Sequence, residues 1–308
     1  MAEHTKTNTN SLSYLLQGSA LVLVAAFGFS SKSILIKLAY SYGANIDAVT
    51  VMVIRMLLSL PFFVIAAIWA GRNASTALEQ KDWLAIFALG LMGYYLSSFL
   101  DLSGLAYISA GLERMILFIY PTLVLMITAF LYKRPVTRRE VISLAICYTG
   151  IAFVFAANMH FQEAKLLLGG GLVFGATIAF AMFTIGSGHL IQRIGATRFT
   201  AYSMTIACIA TTIHYSLVHG SVNLDLPVPV YKLGLLLAVL STVIPSFLMS
   251  AGIRHIGARK ASIITASGPI STMLLAYVFL NENITLLQLS GMALVVVGVL
   301  AISWEKSR

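Results

Sequence analysis

Charged residues are scarce in this chain. Of its 308 residues, 10% are charged and 59% are hydrophobic. A soluble domain carries about 25% charged residues and encloses its apolar side chains in one core. So much apolar surface excludes a soluble globular fold and favours a protein that lies in a lipid bilayer. The net charge of +9 points to membrane orientation rather than to nucleic acid, because the basic residues lie in short loops between apolar runs.

Cysteine is almost absent as well. Cys147 and Cys208 both lie inside apolar runs, which excludes a disulfide framework and a cysteine-based metal site. The glycines at residues 169–171 lack the preceding strand and the following Lys-Ser/Thr pair of a phosphate-binding loop. Together with Gly175, they instead predict a close approach between two helices. We expect no metal, no cofactor and no nucleic-acid partner.

Long apolar runs recur along the chain with only brief breaks. A helix that crosses a hydrocarbon layer of about 30 Å needs about 20 largely apolar residues. The fold class predicted is therefore all-α integral membrane, without a soluble domain. Ten membrane-spanning helices are expected, at residues 15–38, 47–69, 83–105, 110–131, 141–157, 168–189, 200–218, 233–253, 262–280 and 286–304.

Lysine and arginine are distributed unevenly between the loops. Ten spans place both termini on one side of the membrane. Fourteen of the twenty basic residues lie in the termini and the even-numbered loops, and the odd-numbered loops hold only Lys165 and Lys232. By the positive-inside rule both termini are expected to face the cytoplasm. A bacterial inner membrane is the simplest location for such a multi-pass chain.

The end of the chain repeats an earlier stretch. Residues 255–301 overlay on residues 107–153 without a gap, at a constant offset of 148 positions. The identical pairs include Ile108/Ile256, Ala110/Ala258, Ile116/Ile264, Pro121/Pro269, Thr137/Thr285, Ala145/Ala293 and Gly150/Gly298. Because each copy has an odd number of spans, the second copy crosses the membrane in the opposite sense. The sequence therefore predicts two inverted-topology five-helix repeats, residues 11–157 and 168–304, with chance similarity of apolar segments as the alternative.

Two runs carry a family resemblance. AYISAGLERMILFIYPTLVL (residues 106–125) and GARKASIITASGPISTMLLAYVFLNENITLLQLSGMALVVVGVLAI (residues 257–302) resemble the ends of the two halves of EamA-type, ten-helix members of the drug/metabolite transporter superfamily. The resemblance covers nearly the whole chain and implies a polytopic carrier of small metabolites, often amino acids and often moved outward, without a catalytic motif. It rests on Lys37, Arg55, Pro121, Pro269, Glu282, Gly150 and Gly298.

The chain departs from this pattern at a few positions. Lys133 and Arg134 stand in the first half where Asn281 and Glu282 stand in the second, and Phe29 stands where the family often has tryptophan. No subfamily, and so no substrate, follows from the resemblance.

Six charged residues inside the spans are candidates for function, and all of them lie in the first half. They are Lys32, Lys37, Arg55, Asp101, Glu113 and Arg114. A charge inside a bilayer costs a few kcal/mol, so such residues usually face a cavity or a partner. Three or four cations against two carboxylates suit a zwitterion or an anion. The alternative is structural: Arg55 pairs with Asp101, and Arg114 pairs with Glu113 or with lipid phosphate at the water interface, only to fix helix packing.

Polar residues near the prolines complete a predicted substrate site. Tyr94, Ser98 and Asp101 recur at helical spacing and share a face. Pro121 and Pro269 release backbone carbonyls near mid-membrane, where carriers built from repeats hold their substrate. With these prolines as hinges, the predicted substrate-binding residues are Lys32, Arg55, Tyr94, Ser98, Asp101, Tyr120 and Ser267. Packing in the core or in an interfacial belt is the alternative for each tyrosine.

The favoured function is a secondary carrier that exports or exchanges an amino-acid-like metabolite by alternating access. Asp101 or Glu113 is the candidate for proton coupling, whereas a facilitative uniporter needs neither residue. An enzyme acting on lipid-linked substrates would need paired acids or a histidine cluster at one interface, and a sensor would carry a soluble domain. The expected partners are the small-molecule substrate and the bilayer, and a homodimer is compatible with the sequence.

Overall fold

The computed structural model describes residues 3–43, 46–74, 76–131, 133, 136–157, 163–220, 226–265, 268–281 and 284–303. Within these ranges all regular elements are helical. The α-helices are α1 (Glu3–Tyr40), α2 (Ala48–Arg72), α3 (Gln80–Leu89), α4 (Ser97–Leu105), α5 (Ala110–Leu117), α6 (Tyr120–Leu131), α7 (Arg138–Ala157), α8 (Glu163–Ile194), α9 (Ala196–His219), α10 (Val228–Ala238), α11 (Ile244–Thr265), α12 (Gly268–Leu280) and α13 (Leu286–Ser303). Two π-helical segments join neighbouring helices, π1 (Gly90–Leu96) between α3 and α4 and π2 (Val239–Val243) between α10 and α11.

Seven helical stretches of the described chain are long and apolar enough to cross a membrane. They are Tyr14–Tyr40, Ala48–Arg72, Gln80–Leu105, Ala110–Leu131, Lys165–Ile194, Ala196–His219 and Val228–Ser262. Large apolar side chains such as Phe130 and Leu217, which are 86% and 79% exposed, suit contact with lipid. The prediction of an all-helical membrane protein is confirmed.

The prediction of ten spans is not confirmed, because seven helical stretches of the described chain meet the criteria for a span. The apolar stretches of the described chain at the predicted fifth and tenth spans, Val141–Gly150 and Leu286–Gly298, are shorter than a full span. Of the predicted ninth span, α11 contains residues 262–265 and α12 contains residues 268–280, and residues 266 and 267 lie outside the described part of the chain. α11 itself carries one non-helical residue, Gly257, with φ 78° and ψ 160°.

The helix predicted over residues 110–131 is broken at Pro121. α5 ends at Leu117 and α6 begins at Tyr120. Pro121 has no N–H to donate to the carbonyl of Leu117, and the chain tightens into a 3₁₀-like turn beside it. The Ile119 N–H donates to the Ile116 carbonyl at 3.0 Å, and the Thr122 N–H donates to the Ile119 carbonyl at 3.0 Å.

Two backbone features recur at related positions in the chain. Lys133 and Asn281, which are 148 positions apart, adopt positive φ angles of 50° and 52° just after α6 and α12. π1 and π2 begin at Gly90 and Val239, which are 149 positions apart. Because residues other than glycine rarely adopt a positive φ, the agreement indicates that the two parts of the chain share local geometry.

Glycines allow close contacts between helices. A Cβ added at Gly104 on α4 would lie 2.7 Å from the carbonyl oxygen of Gly169 on α8, so only a hydrogen fits there. The close approach predicted for residues 169–175 is found at Gly169, whereas Gly171 has nothing within 4 Å. α7 and α13 meet in the same way, since a Cβ at Gly298 would lie 2.7 Å from the carbonyl oxygen of Ser143.

Arg193 ties one end of the bundle together. Its guanidinium donates to Asp82 Oδ1 at 2.7 Å and to Glu79 Oε1 at 2.6 Å, which joins the end of α8 to the start of α3. Arg198 on α9 donates to the carbonyl of Thr76 at 2.6 Å. We call this end of the bundle the Arg193 end.

Candidate functional site

A cavity of about 140 Å³ lies between the helices. We call it the central cavity. Its wall includes residues from α1, α2, α4, α5, α6, α8 and α11 and from both π segments. The charged side chains on the wall are Lys32, Arg55, Asp101 and Arg114, all from the first half of the chain.

Arg55 is the buried cation of α2. The helix begins after Asp47, whose carboxylate accepts the Thr50 N–H at 2.8 Å, and Arg55 lies two turns further on. The residue is 3% exposed. Its Nε and Nη2 have no hydrogen-bond partner within the described chain. A buried guanidinium group without partners is costly, so these two donors are suited to oxygen atoms of a ligand in the cavity.

Lys32 and Asp101 form an ion pair across the cavity wall, between α1 and α4. Their side chains are 14% and 2% exposed. The pair uses Asp101 Oδ2, and the buried Oδ1 finds no donor in the part of the chain that the structure describes. Asp101 therefore keeps one acceptor for a donor group that enters the cavity.

Glu113 and Arg114 lie at the start of α5, where they face α1. The Ser33 hydroxyl donates to Glu113 Oε2 at 2.8 Å. Arg114 Nη2 donates to Ser33 Oγ at 2.9 Å and to the carbonyl of Phe29 at 2.8 Å. Arg114 Nε and Glu113 Oε2 are 3.6 Å apart. This chain of contacts holds α5 against α1 and leaves Arg114 on the cavity wall.

The charges pair differently from the structural alternative set out for the sequence. Asp101 bonds to Lys32 and not to Arg55. Arg114 does pair with Glu113, and their side chains are 11% and 0% exposed. The reason is the position of α1, which packs against both α4 and α5 and covers these carboxylates.

The central cavity brings together most of the residues predicted to bind substrate. Those on its wall are Lys32, Arg55, Tyr94, Ser98, Asp101 and Tyr120, and Pro121 lies beside them at the helix break. Ser267 lies outside the described residues. Pro269 lies in the first turn of α12, and Glu113 lies behind the wall. Their roles in binding and as hinges stay predictions.

Both predicted tyrosines are held by aromatic neighbours. Tyr94 belongs to π1 and makes an edge-to-face contact with Phe183 on α8, with ring centroids 4.7 Å apart. Tyr120 donates to Thr184 Oγ1 at 3.2 Å, and its ring centroid lies 5.2 Å from that of Phe180. These contacts fix both rings against the second half of the chain.

Sequence reasoning missed the opposite wall of the cavity. The second half contributes the neutral hydroxyls Thr177, Ser241, Thr242, Ser246 and Thr265. Ser241 Oγ lies 2.8 Å from Ser31 Oγ on α1, and Thr242 in π2 donates to the carbonyl of Leu237 in α10 at 2.8 Å. The sequence held one signal for this wall, namely the three hydroxyl residues Ser241, Thr242 and Ser246 close to Pro245. It is weak, because single hydroxyls are frequent in membrane helices.

The family relationship covers both halves of the chain. The model of the EamA-like transporter family matches residues 16–156 and residues 167–304. This chain belongs to the EamA-like transporter family. The "Uncharacterized transporter YcbK" of Bacillus subtilis (strain 168) is 32% identical over 281 residues, which cover 89% of this chain and 88% of YcbK. The "Uncharacterized transporter sll1319" of Synechocystis sp. is 25% identical and covers 94% of both chains.

The fold is also found in a solved structure. A crystal structure matches with a TM-score of 0.71 at 14% sequence identity, over 93% of this chain and 96% of the other. The resemblance to EamA-type drug/metabolite transporters is thus confirmed. The protein is a multi-pass membrane transporter and not an enzyme.

Proposed function

We propose that this transporter is a secondary carrier that exports or exchanges an amino-acid-like zwitterion or anion. The observation that carries the proposal is Arg55, a cation 3% exposed on the cavity wall with two donors that lack partners within the described chain. An arginine presents its N–H groups in a planar fork that matches a carboxylate. The substrate's carboxylate is therefore assigned to Arg55.

The other charges favour a zwitterion over a simple anion. Lys32 is neutralised by Asp101, and Arg114 faces Glu113. Asp101 Oδ1 remains without a donor in the described part of the chain, which suits the ammonium group of the substrate. Arg55 and Asp101 would then bind the two ends of one small molecule, with Lys32, Tyr94, Ser98, Tyr120 and Ser267 completing the site.

The architecture that serves this function is a pair of inverted five-helix repeats, residues 11–157 and 168–304, which give ten spans. Support comes from the constant offset of 148 positions, from the two separate family matches and from the matched positive φ angles of Lys133 and Asn281. By the positive-inside rule both termini face the cytoplasm of a bacterial inner membrane.

Alternating access would use the broken helices. α5 and α6 meet at Pro121, and α12 begins just before Pro269. A break of this kind lets two half-helices change their angle with little loss of hydrogen bonding. The prolines would act as hinges when one repeat rocks against the other around the central cavity.

Coupling to protons is assigned to the carboxylates. Asp101 and Glu113 lie close enough for their carboxyl groups to interact, and Asp101 Oδ1 and Glu113 Oε1 both lack donors in the described chain. When no substrate is bound, one proton shared by the pair would satisfy both oxygens, and the ammonium group of the substrate would replace that proton at Asp101 Oδ1. Asp101→Asn should therefore transport substrate down its gradient but fail to accumulate it. Accumulation by this variant would instead favour a uniporter or another coupling group.

The function is tested by uptake into proteoliposomes of radiolabelled amino acids and nucleoside-type metabolites, with and without a pH gradient. Saturable uptake of an amino acid that falls by about tenfold or more in Arg55→Ala supports the proposal. Ser246→Ala, on the opposite wall, is the comparison variant and should retain uptake with only a modestly higher KM. No uptake of any amino acid by folded wild-type protein would contradict the assigned substrate class.

A further inference from the structure

A second cavity lies between the central cavity and the Arg193 end. It has a volume of about 420 Å³, and its wall includes Thr128, His189, Gln192 and Arg259. Gln192 precedes Arg193 in the chain, and its side chain also donates to the carbonyl of Arg254 at 2.7 Å. Most of the remaining wall is apolar or small, so these four polar side chains are the groups that could contact a polar solute.

The helices α6, α8 and α11 line both cavities, and α11 returns to the central cavity at Thr265 after its non-helical residue Gly257. On α6 the central cavity is lined by Pro121 and the second cavity by Leu125, and on α11 the corresponding residues are Met249 and Ile253. At about 1.5 Å per residue, each pair is separated by about 6 Å along its helix. On α8 the wall passes from Phe180 to Ile185, which is about 8 Å. One helical turn therefore separates the two spaces.

A single layer of side chains fills that turn. Tyr120 and Ile185 belong to one buried cluster with Val124 and Ala181, and Phe180 packs against it. Tyr120 lines the central cavity and Ile185 lines the second cavity. Tyr120 is 6% exposed, and its hydrogen bond to Thr184 connects α6 to α8. Since α6 starts at the proline break, movement of α6 would withdraw this ring.

We infer that the second cavity is a vestibule of the transport path and that Tyr120, held by Thr184 and Phe180, is the gate between it and the central cavity. The inference rests on the proposed carrier function. The vestibule admits the same anionic or zwitterionic metabolite, because Arg259 on its wall and the nearby Arg254 attract a carboxylate. The gate is aromatic and apolar, so it excludes water and charged solutes while it is closed.

Accessibility of single cysteines tests the gate without any substrate. Both native cysteines are buried, at 5% and 0% exposure, so the wild-type chain is a low-labelling background. Thr128→Cys reports on the vestibule and Thr177→Cys on the central cavity. A membrane-impermeant maleimide is added to one face of the membrane at a time. Thr128→Cys should react from the face of the Arg193 end, and Thr177→Cys should react slowly from that face.

Truncation of the gate should then open the path. Adding Tyr120→Ala should raise the labelling rate of Thr177→Cys from that face by about tenfold or more, since loss of the ring favours the open state. Tyr202→Ala, an aromatic truncation on α9 at the same end, is the matched control and should leave the rate unchanged. If Tyr120→Ala does not fold, two milder variants serve: Tyr120→Phe removes the hydroxyl that bonds to Thr184, and Thr184→Val removes that bond together with the bond from Thr184 to the Phe180 carbonyl. Each should raise the rate about threefold.

The inference is overturned if Thr128→Cys does not react from the membrane face at the Arg193 end. It is also overturned if the labelling rate of Thr177→Cys does not change when Tyr120 or Thr184 is substituted, or if Tyr202→Ala raises that rate as much as Tyr120→Ala does. The labelling rate of the single cysteines is measured without substrate, so it does not depend on which metabolite the carrier transports. If the protein takes up no amino acid but Tyr120→Ala raises labelling, the proposed substrate is contradicted and the gate is supported. If the protein takes up an amino acid but labelling does not change, the gate is contradicted and the proposed substrate is supported.

Discussion

The two walls of the central cavity come from the two halves of the chain and differ in chemistry. The first half contributes Lys32, Arg55, Asp101 and Arg114, whereas the second contributes only neutral hydroxyls among its described polar residues. Two local backbone features recur in both halves: the π segments, and the positive φ angles of Lys133 and Asn281. In the proposed carrier, the charged wall would bind the charges of the substrate and the hydroxyl wall would offer adaptable hydrogen bonds.

The largest effect should follow from breaking the ion pair on the charged wall. Lys32→Ala leaves Asp101 buried without its partner, and such a loss costs about 3–5 kcal/mol of folding free energy. The thermal midpoint in detergent should fall clearly. The double variant Lys32→Ala/Asp101→Ala should recover much of the stability, because no charge then remains unpaired. A double variant as unstable as the single one would contradict the pairing.

A smaller loss is expected for substrate recognition at Arg55. Hydrogen bonds to a charged group contribute about 1.5–3 kcal/mol, so Arg55→Ala should lower kcat/KM by about 10- to 150-fold. Arg55→Lys keeps the charge but not the fork, and it should fall between wild type and alanine. Transport kinetics in proteoliposomes provide the measurement. Equal kcat/KM values for Arg55→Lys and Arg55→Ala would show that a positive charge at residue 55 does not contribute to recognition.

The hydroxyl wall should respond more weakly. Ser246→Ala and Thr242→Val each remove one neutral hydrogen-bonding group, which contributes about 1 kcal/mol. KM should rise by about fivefold for each variant, with little change in kcat. A loss as large as that of Arg55→Ala would remove the distinction between the two walls.

The smallest effect concerns Glu79, which joins the halves at the Arg193 end. A hydrogen bond from Lys81 and the charge of Arg193 lower the pKa of its exposed carboxyl below the ordinary value. Because the folded-state pKa is the lower one, Glu79 contributes stability above about pH 4.5, and the contribution is lost as the pH falls through the folded-state pKa. Wild type and Glu79→Gln should differ slightly in thermal midpoint at pH 7 and converge in acid. If the difference in thermal midpoint between wild type and Glu79→Gln grew as the pH falls, the lowered folded-state pKa of Glu79 would be contradicted.

The sequence predicted the helical membrane fold and the cavity residues for one physical reason. A charge inside a bilayer needs a cavity or a partner, so Lys32, Arg55 and Asp101 had to face inward. Partner choice was not predictable, because it depends on how helices rotate against each other. Lys32 meets Asp101 across 69 positions of sequence, and no local pattern records that contact.

Other features left weaker traces in the sequence. Neither π1 nor π2 has a compositional signature in the sequence. The hydroxyl wall was overlooked because serine and threonine in a membrane helix commonly bond to their own backbone, as Thr177 does to the carbonyl of Val173 at 2.7 Å.

Competition between matched analogues tests the central claim most directly. An amino acid transported by the wild-type protein is competed with its unlabelled carboxamide, which keeps the ammonium group and loses the carboxylate. If Arg55 binds the carboxylate, the carboxamide should compete at least about tenfold more weakly than the parent amino acid in wild type. The two should compete almost equally for the residual uptake of Arg55→Ala. A carboxamide that competes as well as the parent amino acid in wild type would contradict the account.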